Sequence, residues 1–404
     1  SGLVCQPEIA TSGVGAPSCL ACGMVVHAQA IETKDGRVMN IGWDVVDVPP
    51  IKDGTFEFIT RWIRAVGLHP AGHRHICYAN AAFYHAVAST VPDAVEWRIA
   101  GDWARAYQLR REAYFWRHGR AIAREVDVLL SVYRPPLVWK GKSISIVLDC
   151  TKELFPTVRS LKAYTMAKLR DFGARRSGRW LAISEWTRQD AIRLRGYAPE
   201  RIRSAGIPAP DMAELSTMLN PPESLQHIAE QRYAFYCSAI SMRKNHPRLI
   251  RAWRRAFPNR DVLLVLAGRE LPGIHPEIRE EIAAAERDGV VRYLGLVSDA
   301  EREYLYAGAD FVVYPSLYEG FGMPILEALQ HSKPVLTSSG SATEEVGGDA
   351  VLLCNPADEE DMVSQLRRIA SDEALRSRLR EAIPERLKRY SLEHVASELH
   401  AGID

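Results

Sequence analysis

The stretch Phe311 to Ser339, FVVYPSLYEGFGMPILEALQHSKPVLTSS, decides the fold of the second half of the chain. Its apolar ends, FVVYP and PVLTSS, have the length and composition of two buried strands, and the segment that begins near Pro324 has those of a helix. Buried strands that alternate with helices form a parallel, doubly wound sheet. In such sheets ligands bind beyond the carboxyl ends of the strands, so the turn after FVVYP is a candidate site.

The same alternation continues on both sides of this stretch. In the second half, further strands are predicted at Ala234 to Ile240 and at DVLLVLAG, VVRYLG and AVLLC, and a capping box, Ser298 and Glu301, opens the helix that ends at Gly308. In the first half, strands are predicted at RHICYA, DVLLSV, SISIVLD and RWLAIS, and the last is followed by the helix WTRQDAIRLRG. The sequence therefore predicts a second α/β sheet.

The length of the chain indicates two domains. At 404 residues it exceeds the size at which a single core stops growing. The segment Ala209 to Arg232 carries prolines and no sustained apolar period, so it is the predicted linker. We expect a first domain over residues 1–208 and a second over 209–384, with an amphipathic helix at about 385–404 that packs back on the first.

Charge and apolar runs restrict the function classes. The formal net charge is +1, which does not indicate a nucleic-acid binder. The local stretch Lys162 to Arg179 holds six basic residues and one acidic residue; it either faces a lipid headgroup or a phosphorylated acceptor, or is a solvated helix face. No apolar run approaches the roughly 18 residues that span a bilayer, and no signal peptide is expected.

Two clusters of candidate metal ligands are weak signals. The seven cysteines are an odd number in a long chain, which suits a reducing cytosol. Cys19 and Cys22 have C-x-x-C spacing without a second pair, so an ordinary helix is expected there rather than a metal or redox site. His69, His73 and His75 also lie close in sequence, and we expect a polar loop.

The turn after FVVYP carries the chemistry. Gly320 and Gly322 allow a close backbone approach, and Pro324 suits the first helical position, so the turn presents backbone N–H groups and a positive helix end to a phosphate or diphosphate. Glu327 is expected in the first helical turn, where a carboxylate can accept hydrogen bonds from the vicinal diol of a ribose. Glu319 precedes the turn and faces the group attached to the diphosphate. Singly, each glutamate is also explained as a dipole partner or a solvated loop residue.

A third element strengthens the binding interpretation. The segment SMRKNHP, Ser241 to Pro247, follows the first strand of the same half, so it opens onto the same edge of the sheet. Arg243 and Lys244 can neutralise the same diphosphate. As a mere helix start they are unfavourable, because cations oppose the dipole at a helix N-terminus.

At this point the chain resembles a known family. EGFGMPILEAL is similar to the E-x7-E signature of retaining, nucleotide-sugar-dependent glycosyltransferases of family four, which have the GT-B fold of two Rossmann-like domains that face a central cleft. The segments RKNH, VRYLGLVSD, LYAGADFVVYPS, SKPVLTSS and EEVGGDAVLLCNPAD follow in the family's order from about Phe235 to Asp358. ISEWTRQD and RIRSAGIP extend the resemblance from Ile183 to Pro208.

The resemblance implies a donor-binding second domain and an acceptor-binding first domain. By position, Glu327 matches the ribose-binding glutamate, Glu319 the glutamate near the donor sugar, and Arg243 with Lys244 the cations that bind the diphosphate. Gly13 and Gly15 in TSGVGAP correspond to a glycine loop near the donor phosphate. The full set of candidate residues is catalytic Glu319, Arg243, Lys244 and Asp149, and donor-binding Glu327, Gly320, Phe321, Gly322, Gly13, Gly15 and Asp299.

The sequence departs from the family at two places. Many relatives carry a histidine where SISIVLD ends, and this chain has Leu148 and Asp149. Some have a second arginine ahead of the R-K pair, where this chain has Ser238. Part of the expected contacts to the donor sugar and phosphate is therefore missing, and Asp149 is the substitute candidate.

The implied activity is a metal-independent transfer of a sugar with retention, in which the leaving phosphate takes the acceptor's proton and no protein base is needed. The R-K-N-H form resembles members that use GDP-mannose, and Asp299 can accept hydrogen bonds from guanine. No cofactor is required beyond the nucleotide-diphosphate sugar, and the acceptor is a glycan, a lipid-linked molecule or a small molecule. A cytoplasmic protein is expected, either free or in peripheral contact with the inner membrane surface.

Two alternatives stay open. A phosphorylase or an epimerase would use the same scaffold for another reaction. A catalytically silent scaffold would bind a nucleotide sugar or a partner protein without turnover, and the missing histidine favours it, whereas the intact glutamates and cations do not.

Overall fold

The computed structural model describes residues 38–51, 53–101, 107–155, 171–211, 222–270 and 274–404. The candidate glycines Gly13 and Gly15 lie outside these residues, as do Cys19 and Cys22 and the first half of the basic stretch, residues 162–170.

The first domain is built on a parallel sheet of seven strands. Their order across the sheet is β3-β2-β1-β4-β5-β6-β7, so the order reverses between β1 and β4. Such a reversal opens a crevice at the carboxyl ends of the two strands. The strands are β1 Asn40–Val45, β2 Arg74–Ala79, β3 Val95–Ile99, β4 Val128–Val132, β5 Ser143–Val147, β6 Trp180–Ala182 and β7 Ile202–Ser204.

The longer helices pack on this sheet through buried apolar residues. In the first of them Trp62, Ile63 and Val66 are fully buried, and the Asp53 side chain accepts hydrogen bonds from two backbone N–H groups at its start. The helices of the first domain are α1 Gly54–Leu68, α2 Ala81–Val87, α3 Tyr107–Glu125, α4 Thr151–Leu154 and α5 Glu185–Arg195. Residues 171–177 are also helical.

The second domain has a parallel sheet of six strands in the order β10-β9-β8-β11-β12-β13. Its central strands are buried throughout, which explains their near-continuous apolar sequences. The strands are β8 Tyr233–Cys237, β9 Leu263–Ala267, β10 Val291–Tyr293, β11 Phe311–Tyr314, β12 Val335–Ser338 and β13 Val351–Cys354.

The predicted capping box of the second domain is present. Ser298 accepts from the backbone of Glu301, whose carboxylate in turn accepts from the backbone of Ser298. The remaining helices are α6 Gln226–Ala229, α7 His246–Ala256, α8 Pro276–Arg287, α9 Asp299–Gly308, α10 Met323–Gln330, α11 Ala342–Gly347, α12 Glu359–Ser371, α13 Glu373–Lys388 and α14 Leu392–Ile403. Within the described ranges, no helix is both long enough and apolar enough to cross a bilayer.

The last helix, α14, lies against the first domain. The Arg179 guanidinium donates to the carbonyl of Ile403 over 2.9 Å, and Gly402 packs on Leu181 of β6. Helix α14 therefore contacts β6 of the first sheet.

The histidine cluster corrects the expectation of a polar loop in part: His69 and His73 lie in the loop between α1 and β2, but the loop is not polar throughout, because His73 is buried. His75 lies within β2 and is buried, as is His73. Nε2 of His75 is 3.3 Å from Nε2 of His400 on α14, and Trp43 donates its indole N–H to Nδ1 of His75. The histidines thus form a buried contact between β2 and the last helix.

Candidate active site

The carboxylate of Glu319 is the centre of a buried charge cluster at the carboxyl ends of β8 and β11. Its Oε1 accepts from Nζ of Lys244 at 2.6 Å, and its Oε2 lies 2.9 Å from the guanidinium of Arg243. Nζ of Lys244 also donates to the hydroxyl of Tyr314, the last residue of β11, over 2.5 Å. The structure therefore brings three of the predicted residues together.

Two cations against one carboxylate set its charge. Burial raises the pKa of Glu319, but Lys244 and Arg243 outweigh it and lower the pKa to about 2. Glu319 is consequently ionised at neutral pH and is a weak base. The remaining hydrogen-bonding capacity of Arg243 is used in part by the carbonyl of Tyr318, 2.6 Å away.

A tight backbone turn places the two cations. Arg243 and Lys244 lie in the short 3-10 turn Met242–Lys244, and helix α7 begins only after Asn245, whose φ is +64°. The Asn245 amide donates to the carbonyls of Pro315 and Pro356, which anchors the turn to the loop after β11. Asparagine tolerates this left-handed backbone better than most residues, so the sequence suits the turn.

Gly320 lies where the turn after β11 meets the first domain. A side chain at this position would place its Cβ 1.9 Å from the carbonyl oxygen of Leu148 in the first domain. Two hydroxyls of the first domain, those of Ser184 and Thr187, donate to the carbonyl of Gly320 over 2.7 and 2.9 Å. The glycine is thus required where two protein backbones meet.

The second glycine of the turn shapes the start of α10. Gly322 has φ +116° and caps the helix, whose first residue is Met323. Across the domains, the start of α1 faces it: a Cβ on Gly54 would lie 3.6 Å from the end of the Met323 side chain. Two helix N-termini therefore meet here. Phe321 has its ring buried edge-on against Tyr390 at a centroid distance of 5.6 Å, and its contact with the donor stays a prediction.

Asp149 reaches the site from the first domain. Its Oδ1 accepts from the backbone of Thr151 over 3.0 Å, and its charge helps Glu319 to raise the pKa of Arg243 against the effect of burial. The hydroxyl of Ser238 lies 3.4 Å from Nε2 of His246.

Glu327 lies in a separate cleft between the domains, with a volume of about 460 Å³. Helix α10 begins at Met323, so Glu327 is its fifth residue, one position beyond the expected first turn. Its Oε1 is 3.3 Å from the guanidinium of Arg61 on α1, and its Oε2 accepts from the hydroxyl of Tyr306 over 3.1 Å. Asp299, at the start of α9, lines the same cleft.

Further contacts join the domains beside the site. The hydroxyl of Tyr318 accepts from the backbone N–H of Cys150 over 3.0 Å and donates to Asp190 over 3.0 Å. The carboxylate of Glu345 on α11 accepts from the backbone N–H groups of Glu185 and Trp186, the first residues of α5. A carboxylate at a helix N-terminus satisfies free N–H groups and complements the dipole.

A smaller cavity of about 160 Å³ opens in the first domain, where β1 and β4 end. Its lining includes Asp47, Asp53, Gln108 and Tyr133. Tyr133 has φ +66°, a strained conformation for an aromatic residue, and such strain is concentrated at functional positions. The cavity occupies the reversal of strand order described above.

Sequence reasoning missed the residues that act across the domains. Arg61 carries no signal of its own, because its partner Glu327 is distant in the chain. Ser184 and Thr187 lie in the segment ISEWTRQD, whose resemblance to the family was the one sequence feature that could have indicated their role. In the part of the chain that the structure describes, no three His, Cys, Asp or Glu side chains are grouped as metal ligands. Metal independence stays a prediction.

Solved structures define the class of the fold. Anabaena HepE in complex with UDP and glucose superposes with a TM-score of 0.66 at 17% identity, over 90% of this chain and 99% of that one. WaaG, a glycosyltransferase involved in lipopolysaccharide biosynthesis, gives a TM-score of 0.61 at 17% identity, over 89% and 98% of the two chains. The chain has the GT-B fold, as its sequence predicted.

The sequence comparisons find glycosyltransferases. Residues 221–386 match the family model of glycosyl transferases group 1. O-antigen chain mannosyltransferase B of Escherichia coli is 32% identical over 206 residues, which cover 48% of this chain and 52% of that protein. The MMP alpha-(1->4)-mannosyltransferase of Mycolicibacterium hassiacum is 27% identical over 217 residues, 53% and 50% of the two chains. The chain thus spans about half the length of these curated relatives.

Proposed function

We propose that this protein is a retaining glycosyltransferase that transfers a sugar, mannose from GDP-mannose in the first instance, to a hydroxyl group of an acceptor. The observation that carries the proposal is the convergence of Arg243 and Lys244 on Glu319, beside the start of α10. Mannose is supported by the names of the relatives and by the R-K-N-H segment.

The donor is assigned to the charge cluster at Glu319 and to the cleft between the domains that holds Glu327. Its diphosphate binds at Arg243, Lys244 and the N-terminus of α10, where backbone N–H groups and cations stabilise negative charge. Its ribose binds at Glu327, whose carboxylate exchanges Arg61 for the two ribose hydroxyls. Asp299 lies in the same cleft and is assigned to the guanine.

Retention without a protein base is supported by the charge state of Glu319. A carboxylate with a pKa of about 2, held by two cations, is a poor proton acceptor at neutral pH. Retaining glycosidases instead place two carboxylates across the scissile bond. We assign to Glu319 the orientation of the two cations and of the donor sugar. The acceptor's proton then goes to the leaving phosphate.

The acceptor is assigned to the cavity at the ends of β1 and β4. Asp47, Asp53, Gln108 and Tyr133 supply carboxylates, an amide and an aromatic ring, groups that can hydrogen-bond and stack on a sugar. This cavity lies next to the start of α1, and Gly54 at that start faces Met323 of α10. A glycan, a lipid-linked molecule and a small polyol all present such hydroxyls.

The first experiment measures donor binding and donor hydrolysis together. GDP-mannose, GDP-fucose, UDP-glucose, UDP-N-acetylglucosamine and the bare nucleotides are titrated calorimetrically into the wild type, Glu327→Ala and Glu280→Ala. Glu280 is an exposed glutamate of α8 and serves as the matched control. We expect one preferred donor, roughly ten- to hundred-fold weaker binding in Glu327→Ala because charged hydrogen bonds are lost, and wild-type affinity in the control.

Glu319→Ala separates an enzyme from a silent scaffold. We expect the variant to lose hydrolysis of the donor by roughly two orders of magnitude while it keeps most of its donor affinity, because the two cations remain. Binding without hydrolysis in the wild type would indicate a scaffold. Absence of binding across the whole panel would contradict the proposal.

We also propose that the protein acts in the cytoplasm and needs no metal. The thiols of Cys77, Cys150, Cys237 and Cys354 are free, which suits a reducing compartment. Hydrolysis that survives a chelator would support metal independence, and hydrolysis restored only by Mg²⁺ or Mn²⁺ would contradict it.

A further inference from the structure

The outer face of helix α3 combines exposed apolar side chains with arginines. Leu109 and Trp116 are 76% and 78% exposed, among the highest values for large apolar side chains in the described residues. Around them lie four exposed arginines. We call this set the α3 face; its members are Leu109, Arg110, Trp116, Arg117, Arg120 and Arg124.

The helical spacing places these side chains on one side. At 100° per residue, the six positions fall within an arc of about 120°, opposite the buried residues Arg111, Phe115 and Ile122. A face of this kind is not needed to cover the core, because the other side of α3 already does so. Its tryptophan and leucine are exposed at a cost in hydrophobic free energy.

The arginines of the α3 face have no acidic partner within the ranges that the structure describes. Among the described residues no acidic group pairs with Arg110, Arg117, Arg120 or Arg124, whereas the acidic residues of α3 are engaged elsewhere. Glu112 accepts from Arg134 at 2.7 Å and Glu125 from Arg98 at 2.8 Å, both away from this face. The face therefore presents positive charge alone, in a chain whose formal net charge is only +1.

We propose that the α3 face docks on an anionic lipid surface. Arginines attract anionic headgroups, a tryptophan inserts its amphipathic ring at the interface, and a leucine buries beside it. A convex helix surface with two apolar side chains fits a flat bilayer, and its one-sided charge selects an anionic one.

The α3 face lies on the helix that lines the acceptor cavity, so membrane contact would bear on the choice of acceptor. This step rests on the proposed function. Gln108 and Arg111 of the same helix line the cavity assigned to the acceptor. A docked α3 face would bring that cavity close to the membrane surface. Of the three kinds of acceptor left open above, a lipid-linked one is then favoured.

The test measures sedimentation of the whole protein with vesicles and needs no enzymatic activity. Vesicles of phosphatidylcholine alone are compared with vesicles that also contain phosphatidylglycerol, at low and high salt. We expect binding to the anionic vesicles only, weaker at high salt, since each arginine near such a surface contributes roughly five-fold to the affinity.

Three variants locate the contact. Arg117→Glu with Arg120→Glu should weaken binding by more than about ten-fold, and Trp116→Ser should weaken it at both salt concentrations. The control, Arg287→Glu with Arg378→Glu, reverses two exposed arginines of the second domain and should bind as the wild type does. Circular dichroism checks that each variant is folded.

Other outcomes overturn the proposal. The proposal is wrong if the wild type does not bind anionic vesicles. It is also wrong if the α3 variants bind these vesicles as tightly as the wild type does. Stronger retention by an oligonucleotide than by the vesicles would instead indicate a nucleic-acid partner. Self-association in analytical ultracentrifugation that Trp116→Ser abolishes, without vesicle binding, would indicate a second copy of the chain. Donor binding in the calorimeter is independent of each of these results.

Discussion

Glu319 connects the binding site to stability at the scale of single residues. Its carboxylate neutralises two cations, and Lys244 is buried with it. Removal of one partner from a buried ion pair leaves the others uncompensated.

Glu319→Gln is therefore expected to lower the free energy of unfolding by about 3 kcal/mol. An added diphosphate should restore part of this loss, because an anion can replace the missing carboxylate between Arg243 and Lys244. Urea unfolding with and without pyrophosphate measures both effects, with Glu280→Gln as the control. Equal stabilisation of the variant and the wild type by pyrophosphate would show that the anion does not bind between these cations.

Gly320 affects stability because it has no side chain. In Gly320→Ala the new Cβ meets the backbone carbonyl oxygen of Leu148, the residue after β5, at 1.9 Å. We expect a loss of about 2 kcal/mol in the free energy of unfolding. The control Gly119→Ala, in α3 with open space around it, should be neutral or stabilise by up to about 1 kcal/mol. Similar stability of the two variants would mean that the domains do not touch at Gly320 in solution.

The residues that touch a partner within their own domain were predictable, and the others were not. Arg243, Lys244 and Glu319 could be placed together because the carboxyl ends of neighbouring strands share one edge. Arg61 and Tyr318 act on the opposite domain, and no local pattern in the sequence encodes that relationship.

At the scale of elements, the core strands were predictable and the weaker strands were not. The apolar runs that became β9 and β11 are buried throughout, and β8 is buried except at Cys237, so each carries a strong signal. By contrast, β3 and β7 lie at the edges of their sheet and are partly exposed, and they lack an apolar run. β1 is central but contains Asn40, Gly42 and Asp44, which interrupt its pattern.

The attachment of α14 to the first domain is expected to depend on pH. Burial, with the neighbouring histidines, lowers the pKa of His75 to about 3 and that of His400 to about 4. His73 also has a lowered pKa, because the effect of burial outweighs that of the Asp404 charge, which raises it. A lowered pKa in the folded state means that the unfolded chain binds more protons once the pH falls below about 6.5.

Stability should therefore be complete above pH 6.5 and fall as the pH is lowered towards 4. By linkage, His400 alone is worth about 2 kcal/mol between pH 7 and pH 5. His400→Leu should reduce the slope of the free energy of unfolding against pH by about one proton. His394→Gln, an exposed histidine of the same helix, should leave the slope unchanged. The same slope in His400→Leu and the wild type would mean that His400 is already protonated in the folded protein.

At the scale of the whole molecule, the two domains are held by specific polar contacts. The clearest is Glu345, which accepts from the N-terminus of α5 across the domain boundary. Its neighbour Glu344 accepts from Gly340 of its own domain, so the pair forms a matched comparison.

Glu345→Ala should weaken the contact by about 1–2 kcal/mol, because the free N–H groups and the dipole of α5 lose their carboxylate. The radius of gyration from small-angle X-ray scattering should increase, and thermal unfolding should separate into two transitions. Glu344→Ala should leave both measurements as in the wild type. An unchanged radius in Glu345→Ala would show that the remaining contacts hold the domains without it.

The hydroxyls of Ser184 and Thr187 donate hydrogen bonds to the carbonyl of Gly320, and this contact restricts how chimeras of two related proteins can be built. A crossover within the proline-containing segment after residue 208 would keep each hydrophobic core intact. It would nevertheless combine helix α5 of one parent with the Gly320 turn of the other, and these two segments are hydrogen-bonded to each other. A chimera of two relatives should therefore be stable only when α5 and the turn at Gly320 come from the same parent. Helix α5 belongs to the first domain by sequence, but in such a chimera it must come from the parent that supplies the second domain.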